Sequence, residues 1–257
     1  MSNRSAPFSF NNIRSQMKCQ KIHIFCLEGL HGVGKTSICN ALKDKGYTVI
    51  DEGFMQGDSF EKYVSSFGST CKCHTFALEL IWVGKMLATI NSLCNSHRKG
   101  EIVLKDRMIF CDRCFITPII YGALTGLGET AFLDLNTEIN TSIAGEFNAE
   151  FHYVYLTRPT IDGVYTKIMK RLEDEPVREK LNEADYNFLN DIEDMYAVRH
   201  RWFDIHYELG EYGEETPEEE ADDIVRTFKS ELAFDDNVNE MLDRVGQFLG
   251  KHVEKGK

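Results

Sequence analysis

The stretch Phe25–Thr36 reads FCLEGLHGVGKT, and the rest of the chain is best interpreted outward from it. Four of its residues match the spacing G-x-x-x-x-G-K-[ST]: Gly29, Gly34, Lys35 and Thr36. Glycines let a backbone turn tightly and bring its N–H groups close to phosphate oxygens. The stretch therefore predicts a P-loop, which binds the phosphates of a nucleotide.

The sequence on either side supports this prediction. The apolar run Ile22–Leu27 predicts a buried strand, and Ser37–Lys45 predicts a helix that ends at Gly46. A helix that starts at the loop points its N-terminus at the bound anion. Lys35 would contact the β- and γ-phosphates of ATP, and the Thr36 hydroxyl would bind Mg²⁺. The predicted ATP contacts are Gly29, Leu30, His31, Gly32, Val33, Gly34, Lys35, Thr36 and Ser37.

Composition narrows the class of protein. The 257 residues are 42% hydrophobic and 27% charged, which is ordinary for a globular domain, and the formal net charge is −12. This charge argues against a nucleic-acid polymer as partner, since proteins that bind one usually carry basic patches. We also expect no membrane partner, because no apolar run has the length of a transmembrane helix.

The first twenty residues differ from the rest. Residues 1–20 contain no Asp or Glu and carry Arg4, Arg14 and Lys18, so we expect a flexible basic tail. Eight scattered cysteines without a secretory signal favour a reducing, cytoplasmic compartment. A transit peptide has a composition like that of the tail, which leaves mitochondrial import as the alternative.

Residues 21–257 alternate between strand and helix patterns, which predicts a single three-layer α/β domain with a central parallel sheet. The acidic segment 208–223 is predicted to be a solvated loop or a frayed helix. Later strands are predicted at Tyr47–Ile50, Ile102–Leu104 and Tyr153–Leu156, with Leu232–Phe234 as a candidate last strand. Helices are predicted at Phe60–Phe67, His74–Asn95, Cys111–Leu124, Asn136–Glu146, Ile161–Leu172, Asp185–Tyr207 and Val238–Leu249.

Several short motifs together resemble the deoxynucleoside kinase and thymidylate kinase superfamily over residues 21–207. They are the P-loop, Asp51-Glu52, the stretch Lys105–Phe115 and the basic helix Ile161–Leu172. Residues 106–113 read DRMIFCDR, similar to the ERSxYSDR-like signature of deoxynucleoside kinases, and Asp106-Arg107 also fits the DRY-type motif of thymidylate kinases. The second pair, Asp112-Arg113, favours a nucleoside acceptor, as does His31 inside the loop.

The resemblance implies a P-loop kinase fold with a short lid at about residues 170–181, and it implies roles for particular residues. Glu52 would be the base that accepts the proton of a 5′-hydroxyl, although Gly53 stands where these kinases usually have Pro. Asp106 would hold Mg²⁺ with Thr36, and Trp82 would either stack on the base or pack in the core. The implied catalytic residues are Glu52, Arg107, Lys35 and Arg171; the implied substrate contacts are Glu52, Glu79, Trp82, Arg107 and Asp112; and the lid cations are Lys167, Lys170, Arg171 and Arg178.

We therefore expect an ATP- and Mg²⁺-dependent deoxynucleoside kinase of DNA precursor synthesis. The alternatives are a thymidylate kinase and a P-loop module that binds nucleotide as a switch or scaffold without catalysis. The resemblance also implies a homodimer, with His74–Asn95 as the interface helix. Cys111 and Cys114 form a C-x-x-C pair that could bind zinc together with the cluster Cys71, Cys73 and His74. Both lie inside the kinase-like signature, however, where Cys111 replaces the usual Ser, so we do not expect a zinc site.

Overall fold

The computed structural model describes residues 21–52, 72–125, 129–174 and 183–233. The strands are β1 (Ile22–Glu28), β2 (Thr48–Ile50), β3 (Met108–Asp112), β4 (Ala149–Thr157) and β5 (Ile205–Glu208). The helices are α1 (Lys35–Asp44), α2 (Lys72–Lys99), α3 (Ile116–Thr125), α4 (Glu129–Phe147), α5 (Ile161–Asp174), α6 (Tyr186–Val198) and α7 (217–233). Single 3-10 turns occupy Lys105–Arg107 and His200–Trp202.

The strands form one sheet in the order β2-β3-β1-β4-β5, and every neighbouring pair is parallel. Because the strands are parallel, their carboxyl ends all meet at one edge. That edge carries Glu28, Glu52 and Asp112, together with the P-loop that follows β1. The sheet therefore gathers around one loop two acidic residues that end strands, Glu28 and Asp112, and a third, Glu52, that follows one.

Helices cover both faces of the sheet. On one face, Phe228 of α7 stacks on Phe25 of β1 with ring centroids 4.4 Å apart, and Phe25 stacks in turn on Phe110 of β3. Neighbouring positions on a strand point to opposite faces. On the other face, Phe115 contacts Phe151 of β4, and the Tyr153 hydroxyl donates hydrogen bonds into α4. The architecture is therefore the predicted three-layer α/β fold.

The predicted third strand, Ile102–Leu104, is wrong. The strand that pairs with β1 is Met108–Asp112, and all five of its residues are buried, whereas Val103 is 77% exposed. Asp106 and Arg107 have φ angles of 51° and 59°, so the chain turns sharply just before the strand begins. The predicted helix at Cys111–Leu124 consequently starts later, at Ile116.

The predicted helix Asp185–Tyr207 is too long. Asp185 caps α6 by accepting hydrogen bonds from the N–H groups of Asn187 and Phe188, and α6 ends at Val198. Ile205–Glu208 then forms the last strand, which pairs with β4. Leu232 lies in the helix at 217–233, which excludes the candidate strand at Leu232–Phe234.

Several predictions fall outside the described residues: the tail 1–20, the helices Phe60–Phe67 and Val238–Leu249, and the lid beyond residue 174. Among the helices that are described, none is both long enough and apolar enough to span a membrane.

Candidate active site

Three loop residues have backbone angles that suit glycine. Gly29, Gly32 and Gly34 have φ angles of 139°, 76° and 118°. A Cβ atom on Gly29 would lie 2.3 Å from the carbonyl oxygen of Leu156 at the end of β4, and one on Gly32 would lie 2.6 Å from Ile168 in α5. The loop therefore packs closely on the sheet edge and on α5, and side chains are excluded at both positions.

Lys35 is buried at the first position of α1. Its Nζ atom donates hydrogen bonds to the carbonyl oxygens of Gly29, at 3.0 Å, and Leu30, at 2.6 Å. Burial, with the positive charge of Arg113, lowers the pKa of Lys35 to about 7. A phosphate bound at the loop would counter this effect, because a nearby negative charge favours the ammonium form.

Thr36 and Asp112 meet at the mouth of the loop. The Thr36 hydroxyl donates a hydrogen bond of 2.7 Å to Oδ2 of Asp112, a residue that is 2% exposed. The second carboxylate oxygen, Oδ1, is buried and has no hydrogen-bond partner among the described residues. A buried carboxylate oxygen beside a hydroxyl fits Mg²⁺, which binds oxygen ligands and keeps several waters. Thr36 and Asp112 are therefore the pair that fits the metal.

Glu52, two residues after the end of β2, faces the loop. Its Oε1 atom accepts an ion pair of 2.8 Å from Nε of Arg113, whose side chain is 2% exposed. Burial raises the pKa of Glu52 to about 7; Arg113 opposes this shift, and the nearby charge of Asp112 adds to it. A carboxylate with a pKa near neutrality suits general-base catalysis.

His31 connects the P-loop to Glu183, which stands after the predicted lid. Its Nδ1 atom lies 3.4 Å from Nη2 of Arg113 and 3.5 Å from Oε1 of Glu183. On the other side of the ring, Nε2 is hydrogen-bonded to the hydroxyl of Tyr121. Glu183, which is fully buried, also pairs with Arg171 of α5. These contacts hold the guanidinium group of Arg113 on the side away from Glu52, so that its Nε atom faces Glu52.

The buried carboxylate of Glu28 stabilises the turn that contains Arg113. Its carboxylate accepts hydrogen bonds from the Cys114 N–H at 2.8 Å, the Thr117 hydroxyl at 2.7 Å and the Tyr196 hydroxyl at 3.1 Å. These contacts fix the turn from β3 into α3, which contains Arg113. Buried donors thus satisfy a carboxylate whose pKa burial raises.

The loop, Glu52, Arg113 and α5 enclose a cavity of about 390 Å³. Three predicted lid cations, Lys167, Lys170 and Arg171, line it from α5. Nε of Arg171 is buried without a hydrogen-bond partner among the described residues. Arg178, the fourth predicted cation, lies outside the described residues.

Residues of the acidic segment 208–223 help to hold the P-loop in place. This role was not predicted from the sequence. The Arg158 guanidinium after β4 donates to the Val33 carbonyl at 3.0 Å and pairs with Glu220 at 2.5 Å. The hydroxyl of Tyr212 donates to the carbonyl of Gly32, and its ring lies 4.4 Å from Arg158. Arg158 and Tyr212 therefore stabilise the P-loop by binding two of its backbone carbonyl groups.

Asp106 and Arg107 lie at the wrong edge of the sheet for their predicted roles. They precede β3, and Met108 pairs with His23 near the start of β1, whereas Asp112 pairs with Leu27 beside the loop. Asp106 instead accepts a hydrogen bond from Tyr47 and an ion pair from Lys229. The structure places neither residue with Thr36; it places Asp112 there, although Asp112 was predicted to be a substrate contact.

The two predicted substrate contacts on α2 have different outcomes. Trp82 is 4% exposed and forms part of the hydrophobic core, the second of the two roles weighed for it. The side chain of Glu79 lies outside the described residues.

The cysteine pair Cys111 and Cys114 meets Cys26, a partner that was not predicted. The three buried sulfur atoms lie within 4.8 Å of one another. Burial raises the pKa of Cys26 and of Cys114, whereas hydrogen bonds from these two thiols lower the pKa of Cys111 to about 5. Cys71 and the side chains of Cys73 and His74 lie outside the described residues, so the structure does not test the alternative of a zinc site that includes them.

Comparison with known proteins gives structural likeness alone. No protein-family model matches the chain, and no curated protein matches it. Shikimate kinase from Acinetobacter baumannii, in complex with shikimate, is 13% identical; the match covers 85% of this chain and 98% of that one, with a TM-score of 0.49. Deoxyadenosine kinase from M. mycoides, with products dCMP and a flexible dCDP bound, is 18% identical over 81% of this chain and 100% of that one, also with a TM-score of 0.49.

Likeness at such low identity says nothing about a substrate. The strand order β2-β3-β1-β4-β5, all parallel, puts the P-loop between the central strand and the first helix, with acidic residues on the neighbouring strands beside it. The chain therefore has the three-layer fold of the P-loop kinases.

Proposed function

We propose that the protein is an ATP- and Mg²⁺-dependent kinase that transfers the γ-phosphoryl group to the 5′-hydroxyl of a deoxynucleoside. The observation that carries this proposal is Glu52, a carboxylate with a raised pKa in the same cavity as Lys35 and Thr36. A hydroxyl acceptor must lose a proton, and a carboxylate placed beside the donor loop can take it.

The donor half of the site binds ATP. Backbone N–H groups of the loop and the N-terminus of α1 face the phosphates, and Lys35 turns from its loop carbonyls toward the β- and γ-phosphates. Thr36 and Asp112 would hold Mg²⁺ through the hydroxyl and the unpartnered Oδ1. When bound, Mg²⁺ neutralises charge on the β- and γ-phosphates.

In the acceptor half, Glu52 takes the proton of the 5′-hydroxyl as the acceptor oxygen bonds to the γ-phosphorus. The bond from that phosphorus to the bridging oxygen breaks, and ADP leaves. Arg113 holds Glu52 in place during this step and lines the same cavity. Lys167 and Lys170 on α5 add positive charge where the phosphoryl group passes.

A second candidate is a nucleoside monophosphate kinase that acts on dTMP. The position of Asp106-Arg107 favours it, because a single Asp-Arg pair remains at the loop and the argument from a doubled pair no longer holds. A nucleotide acceptor carries an ionised phosphate, with a second pKa of about 6, and it needs cations more than a base. Lys167, Lys170 and Arg171 supply such cations.

A panel of acceptors tests the proposal. Purified protein with ATP and Mg²⁺ is offered thymidine, deoxycytidine, deoxyadenosine, deoxyguanosine and dTMP, each at about 1 mM, the upper end of usual KM values. Release of ADP is followed, and mass spectrometry identifies the product. A nucleoside 5′-monophosphate supports the proposal, and turnover of dTMP alone replaces it with the second candidate.

Two lysine variants complete this experiment. Lys35→Ala should abolish turnover, whereas Lys43→Ala removes an exposed lysine of the same helix, paired with Asp51, and should leave turnover near wild type. If no acceptor is phosphorylated while nucleotide binding is intact, the protein is a nucleotide-binding switch or scaffold. A cytoplasmic role in DNA precursor synthesis and a homodimer through α2, where Leu80 and Ile81 are exposed, belong to the same proposal.

A further inference from the structure

A cluster of nitrogen and oxygen ligands lies at the edge of the sheet opposite the P-loop. His23 on β1 pairs in register with Glu150 on β4, and His152 follows two residues later on the same strand. Because alternate strand residues share a face, all three side chains project from one face of the sheet. One nitrogen or oxygen from each of them lies within 4.8 Å of the others.

The distances among these atoms are within about half an ångström of those around a transition-metal ion. Nδ1 of His23 lies 3.0 Å from Nε2 of His152, and Oε2 of Glu150 lies 3.9 Å and 3.8 Å from those two nitrogens. A tetrahedral zinc ion with bonds of about 2.0–2.2 Å keeps its ligand atoms roughly 3.3–3.6 Å apart. Shifts of a few tenths of an ångström would bring the three atoms into coordination.

Neutral imidazoles can provide the lone pairs without releasing a proton. Each neutral ring has one N–H, and the tautomer with that hydrogen on the outer nitrogen places the lone pair on the inner nitrogen, in place of the hydrogen bond that now joins the two rings. For His23 the outer atom is Nε2, and for His152 it is Nδ1. Phe25 stacks on His152 with ring centroids 4.8 Å apart, which fixes the orientation of one ligand.

The cluster is closed on one side and open on the other. The side chains of His23 and His152 are 13% and 11% exposed, whereas that of Glu150 is 46% exposed. An ion can therefore enter past the carboxylate, and a water can complete the coordination. Lys21 donates to Glu150 at 3.0 Å and orients it. The positive charges of Lys21 and of Arg107, which lies near His23, would lower the affinity of this cluster for a cation.

We infer that His23, Glu150 and His152 form a binding site for a borderline divalent transition metal such as Zn²⁺, which joins β1 to β4 away from the active site. Two imidazoles and one carboxylate suit Zn²⁺, whereas Mg²⁺ strongly prefers oxygen ligands. The ion that assists phosphate transfer and the ion at this site are therefore different. The inference is independent of the proposed substrate.

The first test is zinc binding to the full chain, freed of metal with EDTA and studied without nucleotide. Competition with a chromophoric chelator should give one zinc per chain, and zinc but not Mg²⁺ should raise the melting temperature. His23→Gln, His152→Gln and Glu150→Gln should each weaken binding by about tenfold or more. His206→Gln, which removes an exposed histidine elsewhere, is the matched control and should bind as wild type does.

Cobalt absorption distinguishes this site from the thiol cluster Cys26, Cys111 and Cys114. Co²⁺ at two imidazoles and a carboxylate should show visible ligand-field bands without a thiolate-to-cobalt band in the near ultraviolet. The proposal is overturned by a strong thiolate band, by the absence of stoichiometric zinc, or by binding that the three variants leave unchanged. Glu150→Gln, at a half-exposed position, keeps the test valid if a histidine variant fails to fold.

Discussion

If Glu52 is the base, its raised pKa predicts how strongly kcat/KM for the acceptor depends on pH. With a pKa of about 7, its carboxylate is roughly 9% ionised at pH 6 and about 91% at pH 8. If the ionised form is the base, kcat/KM for the acceptor should rise about tenfold across this range. With an unshifted pKa, near 4.5, the carboxylate would be more than about 95% ionised at both values, and the profile would be flat.

Glu52→Gln removes the proton acceptor and keeps the shape of the side chain. The amide oxygen can still accept a hydrogen bond from Nε of Arg113, so we expect the acceptor KM to stay within a few-fold. The loss of the base should lower kcat by about 10²–10⁴-fold and remove the rise between pH 6 and pH 8. Since Arg113 is 2% exposed and would lose its charge partner, the melting temperature must show that the variant is folded.

The assay is steady-state transfer at saturating ATP and Mg²⁺. Bound phosphates then keep Lys35 protonated, so its lowered pKa does not enter the profile. A flat wild-type profile, or a rise that persists unchanged in Glu52→Gln, would refute the assignment of Glu52 as base. A rise centred near pH 6 that survives the substitution would instead report the titration of an acceptor phosphate, and it would favour the monophosphate kinase.

Three further outcomes follow from the site. Asp112→Asn should raise the Mg²⁺ concentration for half-maximal activity by about tenfold or more, measured by Mg²⁺ titration. Asp106→Asn should leave that Mg²⁺ concentration unchanged. It should lower the free energy of unfolding in urea by only about 0–1 kcal/mol, since it removes a partly exposed ion pair with Lys229. Equal effects of the two variants on the Mg²⁺ requirement would contradict the placement of Asp112. Gly29→Ala should destabilise the fold by a few kcal/mol and abolish nucleotide binding, since its Cβ would meet a backbone oxygen at 2.3 Å.

The P-loop could be predicted from sequence because its signal is local. Glycines at two set positions, a lysine and a threonine specify the loop without reference to distant residues, and the apolar run Ile22–Leu27 identifies β1. Glu52 could be placed for a similar reason, because it closely follows a short strand and the carboxyl ends of parallel strands meet at one edge. The remaining residues of the site depend on contacts between distant parts of the chain.

Arg158, Tyr212 and Glu220 show why such contacts escape a local pattern. Arg158 follows a strand by one residue, and Glu220 lies in a segment whose acidity is typical of a solvated surface. Only the pairing of β4 with β5 brings the two together behind the loop. A charged side chain in a charge-rich segment carries no sequence signal for burial, and the structure assigns this segment its role.

The error at Asp106-Arg107 has a geometric cause. Two Asp-Arg pairs stand six residues apart, and each follows an apolar run, so the local sequence does not identify which run joins the sheet. Pairing with β1 selects Met108–Asp112, a strand roughly 13 Å long at about 3.3 Å per residue. The choice of run therefore decides which pair lies at the P-loop and which lies at the opposite edge. Because hydrogen bonds to a partner strand make that choice, Asp112 can be proposed as the metal ligand only when the register of β3 against β1 is known.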